Sequence, residues 1–285
     1  MEVTICGVRG STPAPGADFV RYGGHTSCVA IAASGAEAPR LVLDAGTGLR
    51  ALTRVLAGEP FRGTILLGHL HWDHTHGLPF FAAGDREDSV VSVLLPAQEG
   101  LEAEALLARM MSPPHFPIRP SELRGQWQFQ AIEPGSCTAE GFAVEAREIP
   151  HKGGRTFGFR VTDAQGASLA YLSDHSPTSL GPGDDGFGAH HPAALELVRG
   201  VDLLIHDAQY TAAELPGRIH FGHAAIDYSV GLASACGVGR LLLFHHDPPR
   251  TDAQLDAIVA GLQDAPLPVA AAAEGMVITL EGRPA

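Results

Sequence analysis

The feature that most constrains this chain is the run His69-Leu70-His71-Trp72-Asp73-His74, directly behind the apolar stretch Ile65-Leu66-Leu67-Gly68. A short apolar run closed by glycine reads as a buried strand, and it delivers the histidines to the strand's carboxyl end. Alternate side chains of an extended segment share a face, which points His69 and His71 the same way. Asp73 and His74 then come from the turn that follows. Imidazole nitrogens with a carboxylate are the donor set expected for zinc, manganese or iron held for hydrolysis.

A centre of this kind needs a scaffold, and the remaining sequence offers a mixed one. Strand-like runs recur at 2–8, 28–33, 40–44, 63–68, 89–95, 127–131, 142–148, 155–162, 168–173, 203–206, 240–244 and 276–280. Apolar residues at three- and four-residue spacing mark helices at 48–57, 101–111, 192–199, 223–236 and 251–262. No composition break divides the chain, so one domain over 1–285 is expected. Two loops stand apart: the Gly/Pro-rich 10–16, with a place near the cleft, and the irregular apolar 110–117, which reads as packing or a lid.

Hydrophobic residues at 45% and charged residues at 18% exclude a disordered chain. No apolar stretch approaches the roughly 20 residues of a membrane helix, and no signal-peptide pattern opens the chain, so a cytoplasmic protein is expected. Cys6, Cys28, Cys137 and Cys236 form no C-x-x-C pair and read as buried small hydrophobes. The formal charge of −13 argues against a long nucleic acid partner. It leaves room for a small phosphate ester, because bound dications would reverse the local field.

The spacing His-x-His-x-Asp-His resembles the signature of the metallo-β-lactamase superfamily, and later positions recur in the family's order. Asp44-Ala45-Gly46 looks like its Asp-x-Gly turn, His151 like a third histidine, Asp174 like a bridging aspartate and His245 like a last ligand. The resemblance implies an α/β fold, a four-layer αββα sandwich of the metallo-β-lactamase type. It also implies two divalent ions, zinc or else manganese or iron. His69, His71 and His151 would hold one, Asp73, His74 and His245 the other, with Asp174 between them. Paired dications lower the pKa of bound water and clamp the oxygens of an in-line displacement. His246 is read as solvent-facing or as a neighbour of a ligand, His175 as a neighbour, and Asp44 as a group that orients the loop or a ligand histidine. Trp72 and Phe80 are expected to pack beneath the site.

The segment Leu204-Ile205-His206-Asp207, with Gly222-His223 further on, is similar to the ribonuclease Z and phosphodiesterase branch of that superfamily. There an acidic residue and a histidine work beside the metals, and the matching positions are Asp207 and His223. A carboxylate on one imidazole nitrogen fixes the tautomer and leaves the other nitrogen to face a leaving group. His220 is a weaker candidate. His151 and Asp174 are only 23 positions apart, which leaves no room for the RNA-gripping arm that ribonuclease Z inserts there. The expected function is therefore hydrolysis of a small phosphodiester such as a cyclic nucleotide, with catalytic Asp73, Asp207 and His223. The alternatives are a β-lactamase, a lactonase, a phosphotriester or sulfate-ester hydrolase, or a non-hydrolytic di-iron redox protein. The partner expected is a small-molecule ester, with no membrane; a homodimer would suit the family. His115 and Phe116 are candidates for contact with the organic group, and Arg21, Lys152 and Arg155 for contact with an anion.

Overall fold

The computed structural model describes residues 1–282. Six strands come from the first half of the chain: β1 (Glu2–Gly7), β2 (Cys28–Ala32), β3 (Leu41–Leu43), β4 (Arg62–Leu66), β5 (Val90–Pro96) and β6 (Gln126–Ile132). Seven more follow: β7 (Gly135–Ala139), β8 (Phe142–Ile149), β9 (Thr156–Thr162), β10 (Ser168–Leu172), β11 (Leu203–Asp207), β12 (Leu241–Phe244) and β13 (Val269–Ala271). The last, β14 (Val277–Thr279), returns to the first half. The described residues thus build two seven-stranded sheets, ordered β14-β1-β2-β3-β4-β5-β6 and β13-β12-β11-β10-β9-β8-β7. In both, one end is antiparallel and the other parallel.

The sheets face each other across a core that includes Val3, Ile5, Val29, Leu43 and Leu66 from the first, and Phe157, Phe159, Tyr171, Ile205 and Phe244 from the second. On the outer side of the first sheet lie α1 (Leu49–Val55), the one-turn α2 (Trp72–Thr75) and α3 (Ala103–Ala108), with Leu49, Leu52, Leu106 and Leu107 packed against Val42, Ile65 and Val93. On the second lie α4 (Pro192–Val198), the short α5 (Leu215–Arg218), α6 (Ile226–Ala235) and α7 (Asp252–Gly261). There Leu197, Tyr228 and Leu232 cover Leu172, Leu204 and Leu243. This is the four-layer αββα sandwich that the motif resemblance implied. The middle strands of each sheet are buried on both faces, which explains their near-continuous apolar sequences.

Two strands escaped the sequence reading. β7 is mostly exposed, made of small and polar residues, and β13 is three residues of Val and Ala. Cys6, Cys28 and Cys236 are buried as expected, but Cys137 is exposed, because it sits on the edge strand β7. The helix expected from 223 begins only at Ile226: Gly222 takes a left-handed φ of +86°, and Ala225 stays extended to bridge Tyr210. Among the described residues no helix is long and apolar enough to cross a membrane.

One polar brace lies close to the site's back wall. Arg250 Nη2 donates to Glu214 Oε2 at 2.7 Å and to the Gln209 carbonyl at 3.1 Å, while the Thr211 N–H and hydroxyl also donate to Glu214. Burial opposes ionisation, but these donors hold the Glu214 carboxyl down at about 2 against an ordinary 4.5. A depressed carboxyl stabilises the fold fully above its unfolded value and loses that contribution as pH falls through the folded one. The window is thus pH 4.5 to about 2. Discounted for partial exposure, the brace is expected to contribute about 1–2 kcal/mol. Denaturant unfolding of wild type and Glu214→Gln should differ by that amount at pH 6 and converge towards pH 2; parallel curves would refute the assignment.

Candidate metal centre

Each sheet sends chemistry to the carboxyl ends of its strands, the usual place for a site in an α/β sandwich. His69 and His71 lie in the loop after β4, and Asp73 and His74 on α2. His151 follows β8, Asp174 follows β10, and His245 follows β12. The donors therefore stand above both sheets. Among the described residues three groups of donor atoms form, each within 4.8 Å: Asp207, His223 and His245 make the smallest, and the two four-membered groups are His69, His71, His151 and Asp174, and Asp73, His74, Asp174 and His245.

Asp174 is the common member of the two four-membered groups, and its two oxygens divide the labour. Oδ2 faces His69 Nε2 at 3.6 Å and His151 Nε2 at 3.4 Å, whereas Oδ1 faces His74 Nε2 at 3.0 Å and His245 Nε2 at 3.1 Å. Asp73 Oδ2 closes the second group, 3.2 Å from His74 Nε2 and 3.1 Å from His245 Nε2. His69 Nε2 is buried without a hydrogen-bond partner, which a bound cation would satisfy. The donor chemistry fits divalent zinc, manganese or iron.

The opposite nitrogens are held in place. His74 Nδ1 lies 2.7 Å from Asp44 Oδ2, an oxygen that also accepts from the Tyr171 hydroxyl at 2.7 Å, while Asp44 Oδ1 takes the Gly68 N–H at 2.7 Å. His151 Nδ1 meets the Gly222 carbonyl at 2.7 Å, and His245 Nδ1 meets Gln209 Oε1 at 3.0 Å. Such partners fix the tautomer and aim Nε2 at the shared space. Asp44 thus has the orienting role read for it.

Electrostatics follow from this crowding. Burial, then the neighbouring His74, keeps His69 well below the ordinary histidine range, and burial lowers His71 and His151. These imidazoles are neutral and available as donors. Burial alone would raise Asp174, yet His245, His74 and His69 hold it well below the usual carboxylate range. Burial likewise opposes a charge on His74, but Asp73, Asp174 and Asp44 outweigh it and raise His74 well above its ordinary value. The centre is a place that calls for positive charge.

Beside it, His223 Nδ1 is 2.9 Å from Asp207 Oδ2, both groups buried. Burial works against the imidazolium, but Asp207 pushes His223 up to about 9, so it carries a proton at neutral pH. Asp207 is itself fixed by the backbone N–H groups of His175 and Gln209 at 3.1 Å each.

The profile of the beta-lactamase superfamily domain matches residues 39–246, which span every donor described above. The chain belongs to the metallo-β-lactamase superfamily. Among relatives within it, the uncharacterized protein Rv1339 of Mycobacterium tuberculosis is 28% identical over 258 residues, 88% of this chain and 82% of that protein. Ribonuclease BN of Escherichia coli is 25% identical over 226 residues, 64% of this chain and 69% of its own length. The crystal structure of human tRNase Z, short form, superposes with a TM-score of 0.66 at 22% identity, covering 98% of this chain and 99% of that one. The last likeness is one of fold.

Within this metallo-β-lactamase centre the sequence reading missed several supports. Ser11, at φ +59°, donates its N–H to Asp73 Oδ2 at 2.6 Å, so the loop 10–16 does reach the cleft. Gly10 is required there: a Cβ would lie 2.4 Å from the His245 ring. Gln209, Tyr171 and Arg9 also escaped notice, since no local pattern distinguishes them. Trp72 and Phe80, expected beneath the site, are instead 67% and 57% exposed. α2 is one turn long and turns Asp73 and His74 inward, which forces Trp72 outward; Phe80 packs edge-on against Phe116. His246 is buried and points to the Ala272 carbonyl, away from the donors, and is not solvent-facing. His175 is a buried neighbour hydrogen-bonded to His206, and His220 is exposed. Arg21 pairs with Asp256 and Asp252, and Arg155 with Glu133 and Glu148, which leaves Lys152 as the cation among the three that lines the cleft.

Proposed function

We propose that this chain is a two-metal phosphodiesterase acting on small phosphodiesters, cyclic nucleotides among them. The observation that carries the reading is the division of Asp174, one oxygen toward His69 and His151 and the other toward His74 and His245, next to the buried Asp207–His223 pair. His69, His71, His151 and Asp174 would hold one ion, and Asp73, His74, Asp174 and His245 the other, zinc being the metal best matched to the donors. Bound dications supply Lewis-acid polarisation of the phosphoryl oxygens and an activated water.

The protein's own groups do the rest. Asp73, held by the Ser11 N–H, orients the nucleophile or accepts its proton. With Nδ1 engaged by Asp207, His223 has Nε2 left to donate a proton to the departing oxygen or to offset phosphoryl charge. The likeness to a ribonuclease supports phosphoester chemistry, while the charge of −13 and the β9–β10 hairpin that fills the interval from His151 to Asp174 support a small substrate over transfer RNA.

The test is turnover of bis(p-nitrophenyl) phosphate and of 2′,3′- and 3′,5′-cyclic nucleotides by the metal-loaded protein, beside a β-lactam, a lactone and a precursor transfer RNA. Phosphodiester hydrolysis abolished by chelation is expected; turnover of the β-lactam or lactone alone would overturn the reading. His223→Ala should lower kcat by about 10²–10⁴-fold while metal content stays unchanged. Loss of metal in that variant would make His223 a ligand and not an acid.

A further inference from the structure

The cleft over the metal centre, about 490 Å³, has an ionic floor that includes His71, Asp73, His151, Asp174 and His223. Its rim is different in kind. Trp72 opens α2 and leaves its indole 67% exposed, and Phe221, at the end of the turn Ile219–Phe221, is 51% exposed. Single exposed aromatics are common on protein surfaces. Two on the rim of one cleft above buried donors are another matter, since each forgoes much of the stabilisation that burial would yield.

Both rings are held for use. The indole lies against the His76 imidazole, ring centres 5.5 Å apart and planes within 16°, a stack that sets its orientation while most of its surface stays open. Phe221 is fixed from behind: Gly222 turns the chain at φ +86°, its carbonyl meets His151 Nδ1 at 2.7 Å, and Lys152 Nζ donates to the His220 carbonyl at 2.6 Å. The loop that carries Phe221 is thus tied to a metal-site histidine. A rigid aromatic wall gives contact area at little entropic cost and accepts any flat π-face.

We propose that Trp72 and Phe221 form a subsite for a flat aromatic group of nucleobase size, carried by the ester whose phosphoryl group sits over Asp174. The inference rests on the phosphodiesterase reading for the phosphoryl half alone. Stacking specifies a ring without naming the base, so purine and pyrimidine esters are both accepted, and esters with no ring are weaker ligands.

The experiment compares adenosine 5′-monophosphate with ribose 5-phosphate, which keep the same phosphate and sugar but differ in the ring. Calorimetry on the zinc-loaded protein is expected to show the nucleotide binding about tenfold or more tighter, with the advantage falling to about two- or threefold in Trp72→Leu and in Phe221→Leu. Metal content is measured on every variant, since Trp72 is flanked by metal-site residues. The chain has two tryptophans, so in Trp127→Phe the remaining indole is Trp72; nucleotide should quench its emission and ribose 5-phosphate should not. Where Trp127→Phe does not fold, the same difference is read between wild type and Trp72→Leu. Equal binding of the two ligands, or a tenfold advantage kept in both variants, overturns the subsite. Diester turnover is scored separately: turnover without ring preference removes the subsite and keeps the phosphodiesterase, and ring preference without turnover does the reverse.

Discussion

Asp174→Ala is expected to lower phosphodiester turnover by at least about 10⁴-fold and to leave a protein unable to hold its full complement of divalent metal. No other carboxylate can substitute. Asp174 is 2% exposed and is shared by both four-membered donor groups, so its removal takes a donor from each at once. It also leaves His74 without one of the three carboxylates that raise it. Asp174→Asn keeps the volume but offers neutral donors, and should fail almost as completely. Steady-state kinetics paired with metal analysis decides the matter. A variant that loses activity but keeps two ions per chain would show that Asp174 acts on substrate and does not join the groups.

The largest loss of stability is expected at a residue that touches no donor. Arg9 is fully buried; its Nε donates to the Gly23 carbonyl and its Nη1 to the Arg250 carbonyl, each at 2.7 Å, while Asp252 lies 4.0 Å from Nη2. Its guanidinium also lies 5.1 Å from the Phe19 ring centre. Arg9 therefore ties the loop that carries Ser11 to the segment that follows His245. Arg9→Ala strands carbonyls that the guanidinium alone serves and empties a large packed volume. A cost of about 3–5 kcal/mol is expected, seen as a lower urea midpoint at unchanged slope. A loss under about 1 kcal/mol would mean that water replaces the guanidinium without penalty.

What the sequence made legible follows from where information is local. The run 69–74 announced its donors because metal chemistry needs specific residue types at close spacing, and His151, Asp174 and His245 could be placed because they recur in the order that the metallo-β-lactamase resemblance implies, each behind a strand. The central strands were legible because double burial leaves few polar residues in them. β7 and β13 were not, since an edge strand of small residues has neither alternation nor a run to see. Trp72 was misread for a similar reason: apolar character fixes a preference for burial, but a one-turn helix with two inward ligands fixes which way the indole must go. Ser11 meets Asp73 62 residues on, Gln209 meets His245 36 residues on and Arg9 meets Arg250 241 residues on, so no short window of sequence contains both halves of the interaction.

The pairing of β1 with β14 carries a consequence for biosynthesis. Glu2 lies opposite Thr279, so β1 acquires its outer neighbour only after all of the chain between the two has been made. At ordinary elongation rates that interval is on the order of 15–60 s. Until then β1 presents a bare edge to whatever nascent chain passes, and His245 has not long emerged behind the donors it must join. A growing chain is consequently a sandwich with an open seam, and the arrival of β14 seals that edge after the donors of the site have all been made.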